Sequence, residues 1–263
     1  MKQNIKRNFS PYELTQLAKY GLSRDAAQTE PDKPVEYISG KVEFDGLVFS
    51  IDQRALIPRV ETEELVTKAF EQVNARAKVN SKQPVVIVEV GTGCGAVAIA
   101  LAKRLKRLNI NFQILATDIS TEALELAREN ARQLQCQEQI VFTQQDLLRN
   151  TPTAFKQVDV FIANLPYIPS KRIKLLDRNV AAYEPLVALD GGADGFTLIE
   201  KFLSQATKYL RPNGTIWLEI DYTHPELLKE KFGQKYQVTT WVSPLSRCIF
   251  AQLIKPASNP SAT

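Results

Sequence analysis

Four consecutive residues carry the densest chemistry in this chain: Asn164-Leu165-Pro166-Tyr167. The Asn164 side-chain oxygen and the Leu165 carbonyl are two adjacent acceptors, suited to the two hydrogens of one NH2 group. Pro166 removes a competing donor and stiffens the turn. Tyr167 offers a flat face for a planar amide or aryl amine. Methyl transfer from a sulfonium to so weak a nucleophile needs the nitrogen held in line. It also needs acceptors that keep electron density on nitrogen as the bond forms. No strong general base is required, which suits a chain with a single histidine, His224. By itself, Asn-x-Pro is also an ordinary way to close a strand.

A second cluster, Gly91-Thr92-Gly93-Cys94-Gly95, lies where the apolar run Val85–Val90 gives way to helical spacing. Glycines at a strand-to-helix turn let the backbone bend sharply and approach a ligand without a Cβ clash. Gly91, Gly93 and Ala96 also satisfy the dinucleotide-binding pattern, so the loop alone leaves the cofactor open. Asp118 ends the next strand beside that loop, where a carboxylate can accept both hydroxyls of a ribose, and Ser120 is the better helix cap. After the third strand, Asp146 can accept from an adenine amino group while Leu147 packs on the ring. The bland alternative there is a polar turn.

These residues need a scaffold, and the chain supplies a strand/helix alternation of the kind that builds a mostly parallel sheet covered on both faces. Strands are expected at 85–90, 112–117, 139–143, 158–163 and 214–220, the last entered by a turn at 211–214. Helices are expected at 96–107, 121–134, 196–209 and 225–232, with a closing antiparallel pair at 236–242 and 247–253. Upstream, residues 12–24 have helical spacing. Val42-Glu43-Phe44 and Leu47-Val48-Phe49 flank Asp45-Gly46 as a hairpin, and 61–73 repeat as a helix. The organisation predicted is a reduced helical segment at 1–36, then a hairpin, helix and linker at 37–83, the linker being 78–83. The catalytic domain follows at 84–254, with a disordered tail at 255–263.

Composition narrows the classes. With 44% hydrophobic and 24% charged residues, 263 residues suffice for one sizeable α/β core. No apolar run approaches membrane-spanning length, and the basic N-terminus is not followed by an apolar signal core, so a cytoplasmic protein is expected. Three scattered cysteines and one histidine give neither a disulfide framework nor a metal site. A net charge of +4 is mild, and no stable nucleic-acid binding is expected.

Taken together, Gly91–Gly95, Asp118 and Asn164–Tyr167 give a chain that resembles the release-factor glutamine methyltransferases. The resemblance runs from about Tyr37 to Leu253. It includes Leu56-Ile57-Pro58-Arg59-Val60-Glu61-Thr62-Glu63 and Glu184-Pro185-Leu186-Val187-Ala188-Leu189-Asp190-Gly191-Gly192, followed by Asp194-Gly195. It implies a Rossmann-like class I fold with a seven-stranded, mostly parallel sheet and an antiparallel last strand. It also implies S-adenosylmethionine as cofactor and N5-methylation of the glutamine in the Gly-Gly-Gln loop of peptide chain release factors, by a monomer. On this reading Gly91, Thr92, Gly93, Cys94, Gly95, Asp118, Asp146, Leu147 and Asn164 hold the cofactor. Asn164, Leu165, Pro166 and Tyr167 clamp the glutamine, with Asn164, Pro166 and Tyr167 as the catalytic group. Leu165 and Val60 stand where the family usually has proline, and the family's helical N-terminal domain is reduced to about 36 residues.

Two other readings use the same residues. An N6-adenine methyltransferase would clamp an exocyclic amine in the same way, with Lys2, Lys6, Arg7, Arg76, Lys78 and Lys82 available for phosphate. A nicotinamide-dependent oxidoreductase accounts for Gly91–Ala96 and Asp118 but leaves Asn164–Tyr167 without a task. His224 is expected at the surface or in a cap, Trp217 and Trp241 in the core, and Asp190-Gly191-Gly192 in a turn whose purpose the sequence does not give.

Overall fold

The computed structural model describes residues 8–28, 30–79, 82–244 and 248–257. Its centre is a seven-stranded sheet. In chain order the strands are β3 (Val85–Val90), β4 (Phe112–Asp118), β5 (Ile140–Gln144), β6 (Val158–Ala163), β7 (Leu210–Ile220), β8 (Gln237–Val242) and β9 (Ile249–Ile254), following the separate hairpin β1 (Lys41–Phe44) and β2 (Leu47–Ser50). Across the sheet the order is β5-β4-β3-β6-β7-β9-β8. β5, β4, β3, β6 and β7 are parallel neighbours, and β9 runs antiparallel between β7 and β8.

Strand side chains alternate between two cores. Ile87, Ile114, Val160, Ile162 and Trp217 face α4 (Glu63–Val79), α5 (Ala96–Arg107) and α6 (Thr121–Gln133). Val88, Leu115, Phe161, Ile216 and Leu218 face α9 (Thr197–Ala206) and α10 (His224–Phe232). Central strands buried on both faces read as nearly continuous apolar runs, each here holding one acid, which is why β3 and β6 fall on their predicted bounds.

The boundaries that moved have local causes. The helix expected over 12–24 is two, α1 (Pro11–Lys19) and α2 (Arg24–Gln28), because Gly21 takes a φ of 69°. Ser10 and Glu13 form a capping box that fixes where α1 starts. A further short helix, α3 (Val35–Ser39), leads into the hairpin. A 3-10 turn at Val60–Thr62 delays α4, and α4 then runs into the expected linker as far as Val79. The turn at 211–214 is a bulge inside β7, since pairing with β6 shifts between Val158 and Val160. The insertion after β6 folds as α7 (Ser170–Ile173), α8 (Arg178–Tyr183) and a turn at Leu186–Ala188. Arg247 and residues 258–263, where the end of a strand and most of the tail were predicted, lie outside the described residues.

β3 leaves the sheet toward β4 on one side, while β6 lies on its other side, so a crevice opens at their carboxyl ends. The hairpin is tied to that crevice by the buried Asn130 of α6. Its Oδ1 accepts from Ser50 N, and its Nδ2 donates to the carbonyls of Ser50 and Cys94. At the opposite end of the sheet, Asp159 accepts from Val86 N and pairs with Arg76 and Arg211.

His224 is not at the surface. It is fully buried, edge-on to Phe196, with Nδ1 accepting from Asp221 N and Nε2 facing the Asp194 carbonyl at 3.3 Å. That carbonyl asks for a donor, which fixes the neutral tautomer, and burial holds the ring below its ordinary pKa. The unfolded chain takes up a proton near pH 6.5 while the folded one resists it. The stabilisation is therefore complete above that value and lost on acidification. Thermal melts from about pH 7.5 to 5 should show a smaller loss of Tm for His224→Gln than for the parent chain. Parallel curves would mean the ring does not titrate against the fold.

Candidate active site

The glycine loop leaves β3 under tension from both ends. Gly91, Gly93 and Gly95 have φ of 78°, 53° and 86°, values costly for any side chain. Gly91 N and Thr92 N both donate to the Thr117 carbonyl, at 2.8 and 2.9 Å, which stitches the loop to the end of β4. Gly95 is glycine for another reason. A Cβ there would sit 3.1 Å from the Ala127 methyl, so this position sets the close approach of α5 to α6. With no side chain on Gly95 to cap α5, Glu89 does so from inside: its Oε2 accepts from Ala98 N and from Thr92 Oγ1. Complete burial nonetheless pushes its carboxyl up to about 8.

Asp118 emerges beside the loop as predicted. One oxygen accepts from Gly93 N at 2.8 Å and the other from Ser120 N at 3.0 Å, and Ser120 takes the cap of α6. Each carboxylate oxygen keeps a lone pair for a further donor, and desolvation raises the group above the usual carboxylate range.

A cavity of about 280 Å³ opens here. Gly91, Thr92, Gly93, Cys94, Asp118, Asp146, Leu147, Asn164, Leu165 and Pro166 line it; Gly95 and Tyr167 do not. Asp146 is less free than expected, because Lys201 donates to its Oδ2 at 2.6 Å. Leu147, at a φ of 55°, presents its side chain to the cavity wall, and Ile119 supplies an exposed apolar surface next to Asp118. Gln145, also lining the cavity, donates Nε2 to the Leu147 carbonyl while its buried Oε1 has no partner. Apolar walls, a carboxylate with spare lone pairs and an orphaned acceptor suit a nucleoside: a flat base, ribose hydroxyls and an exocyclic amine.

The clamp residues follow β6. Tyr167, predicted to stack on the group being methylated, donates its hydroxyl to Glu219 Oε1 at 2.9 Å. Asn164 Nδ2 donates to Glu219 Oε2 at 3.1 Å, and Thr62 Oγ1 donates to the same oxygen at 2.7 Å. Neither Glu219 nor Thr62 stood out in the sequence. The signal for Glu219 was a lone acid in the buried run Ile216-Trp217-Leu218-Glu219-Ile220, where a charge demands partners. Arg59 also lines the cavity and binds the buried Glu184 at 2.6 Å, joining the Pro58-Arg59 and Glu184-Pro185 blocks.

The Asp190–Gly195 segment acquires a purpose. Ile168 bridges to Asp190 in parallel, with Gly191 N donating to the Ile168 carbonyl and Ser170 N to that of Gly192. A Cβ on Gly191 would lie 2.6 Å from the Pro166 carbonyl oxygen, and one on Gly195 2.2 Å from that of Tyr167. These glycines let the segment lie flat against the back of the clamp. Gly195→Ala, also strained at a φ of 77°, should lower stability by about 2–4 kcal/mol and displace residues 166–169. Chemical denaturation measures the first effect, and an unchanged midpoint would show that the close packing is not required.

Residues 81–246 match a family model described as a methyltransferase domain. The chain is 34% identical to the release factor glutamine methyltransferase of Enterococcus faecalis over 87% of its own length and 77% of that protein's. It is 37% identical to the Lactococcus lactis enzyme of the same name, over 82% and 74%. Among solved structures, the human methyltransferase 10 domain containing protein superposes with a TM-score of 0.58 at 16% identity, covering 95% of this chain and 100% of that one, which speaks to the fold alone. The oxidoreductase reading falls with these matches, and the chain belongs to the release factor glutamine methyltransferase family, with the class I methyltransferase fold and S-adenosylmethionine as its cofactor.

Proposed function

We propose that this protein methylates the side-chain amide nitrogen of a glutamine in a peptide chain release factor, the Gly-Gly-Gln glutamine, acting as a monomer in the cytoplasm. The observation that carries the reading is the pair of acceptors at the end of β6. Asn164 and Leu165 line the cavity, Asn164 has its Nδ2 turned away onto Glu219, and the Leu165 carbonyl accepts no hydrogen bond among the described residues.

When bound, S-adenosylmethionine supplies a methyl group on an electrophilic sulfonium. The fit of the cavity to it rests on Asp118 for the ribose hydroxyls, Ile119 and Leu147 as apolar walls for the base, and the orphaned Gln145 Oε1 as an acceptor. In the transfer an N–C bond forms, an S–C bond breaks and one N–H proton is released. Asn164 Oδ1 and the Leu165 carbonyl hold the two amide hydrogens, so the nitrogen keeps its electron density toward the methyl carbon. Pro166, lacking an N–H, offers no donor that would compete for those acceptors.

The adenine alternative is not favoured by the matched relatives, which are named for release factor glutamine, although Lys78 and Lys82 of its candidate cations are exposed. Arg76 is spent on Asp159 and on the Asn213 carbonyl, at the end of the sheet away from the clamp. Lys2, Lys6 and Arg7 lie outside the described residues. A tritiated-methyl assay with purified release factor decides the matter. Incorporation is expected and should fall on the order of 100-fold or more in Asn164→Ala, with S-adenosylhomocysteine binding kept. No incorporation into any release factor by the parent chain would remove the proposal.

Glu89 gives a second test. A cationic cofactor favours its ionised form, so affinity should climb as pH rises through about 8. Calorimetric titration should show a gain of roughly three- to tenfold across that range in the parent chain. In Glu89→Gln that gain should be absent. Equal pH dependence in both would mean that Glu89 does not feel the cofactor.

A further inference from the structure

We propose that Glu219 is the positioning residue that sets the polarity of the clamp. By taking the Asn164 NH2 group, it leaves the clamp pair, Asn164 Oδ1 and the Leu165 carbonyl, presenting only acceptors to the cavity and so selects a primary amide or amine over a carboxylate. This rests on the substrate reading above and names the residue that enforces it.

Three observations support the assignment. Glu219 is 2% exposed and, among the described residues, forms no ion pair; Arg59 acts on it only through space, and its hydrogen-bond donors are three neutral groups, Thr62 Oγ1, Asn164 Nδ2 and Tyr167 Oη. A buried carboxylate is expensive without an opposite charge. The strand itself has no need of one, since Trp217, its neighbour on the same face of β7, packs in the core. Second, two of the three donors belong to the clamp. The third, Thr62, ends the 3-10 turn before α4 and also accepts from Asn164 Nδ2 at 3.4 Å. Third, a carboxamide is ambiguous at this site. A half-turn about its last torsion exchanges an acceptor for two donors with almost no change in shape. With Glu219 behind it, that half-turn would set carbonyl oxygen against carboxylate oxygen. The restraint acts on the Asn164 orientation that faces the substrate, while Glu219 itself stays behind the wall: Asn164 and Thr62 line the cavity and Glu219 does not.

The assignment is tested on the full chain in two arms. In the first, without substrate, the Asn164 side-chain NH2 is followed by nitrogen-15 NMR and identified by its loss in Asn164→Ala. Slowly exchanging, hydrogen-bonded protons are expected, becoming fast-exchanging and shifted in Glu219→Met, which offers no oxygen acceptor. An unchanged pair would overturn the assignment. In the second arm, methyl transfer to a release factor is measured. Glu219→Met should lose about 10- to 100-fold in kcat, the scale seen when a group that orients a reacting ligand is removed. S-adenosylhomocysteine affinity should stay within about twofold. Because Glu219 acts through Asn164, the double variant Asn164→Ala, Glu219→Met should be no slower than Asn164→Ala alone; losses that multiply would overturn the assignment. Thr62→Val should show a smaller loss and Thr62→Ser should restore it, and these variants carry both arms if Glu219→Met fails to fold. If the parent chain transfers no methyl to a release factor, the substrate reading falls and the NMR arm still decides the role of Glu219.

Discussion

Carboxylates buried or half-buried at the carboxyl ends of three parallel strands hold this site together. Glu89 on β3, Asp118 on β4 and Glu219 on β7 each sit where a strand gives way to a loop or a crevice wall. Each accepts from donors belonging to another segment. Parallel strands end with backbone groups that the sheet no longer pairs, and loops rich in glycine bring few side-chain acceptors of their own. An acid planted on the strand meets that need from within. Desolvation works against all three, raising each above its ordinary range, so their hydrogen bonds must be well formed for the fold to tolerate them. Loop position is thereby coupled to charge: a donor that moves leaves a buried acid exposed to its full desolvation cost.

What was legible in the sequence follows the same physics. Central strands and long amphipathic helices announce themselves by period, which is why β3, β6 and α5 fell where expected. The sequence placed the glycine loop, Asp118 and Asn164–Pro166 around one crevice, and they do line it, because their residue types are costly anywhere else in a strand-to-helix unit. Gly95 and Tyr167 do not line it, for a shared reason. Both stand within site motifs, but the first serves helix packing and the second hangs from a strand 52 residues later. Spacing along the chain cannot separate a residue that lines a cavity from one that packs behind it.

Glu219, Thr62 and the Arg59–Glu184 pair were missed because their partners are distant in sequence: Thr62 meets Glu219 across 157 positions and Arg59 meets Glu184 across 125. The clue available was categorical. A lone acid inside an apolar strand must be answered by donors from elsewhere, and Glu89 in Val85–Val90 repeats the pattern. The sequence therefore held the demand for a partner without its address. His224 belongs to the same class, since a fully buried imidazole is legible only once Asp194 is known to lie against it.

The leucine at position 165 changes how the clamp is stiffened. A proline there would fix one backbone torsion directly. In this chain the Leu165 side chain reaches back over the glycine loop, its Cδ2 only 3.3 Å from where a Gly91 Cβ would stand. The residue is buried, and this contact ties the cofactor loop to the clamp. Rigidity then comes from outside: Glu219 holds Asn164 and Tyr167 on one side, and Gly191 and Gly195 press against residues 166–169 on the other. The Leu165 carbonyl, the acceptor that the proposed transfer uses, is thus carried on backbone that is fixed before and after it. Local stiffness from a ring has been exchanged for stiffness from packing. Such an exchange favours glycine at 91, where a side chain would press on Leu165 Cδ2 and would also be strained at a φ of 78°.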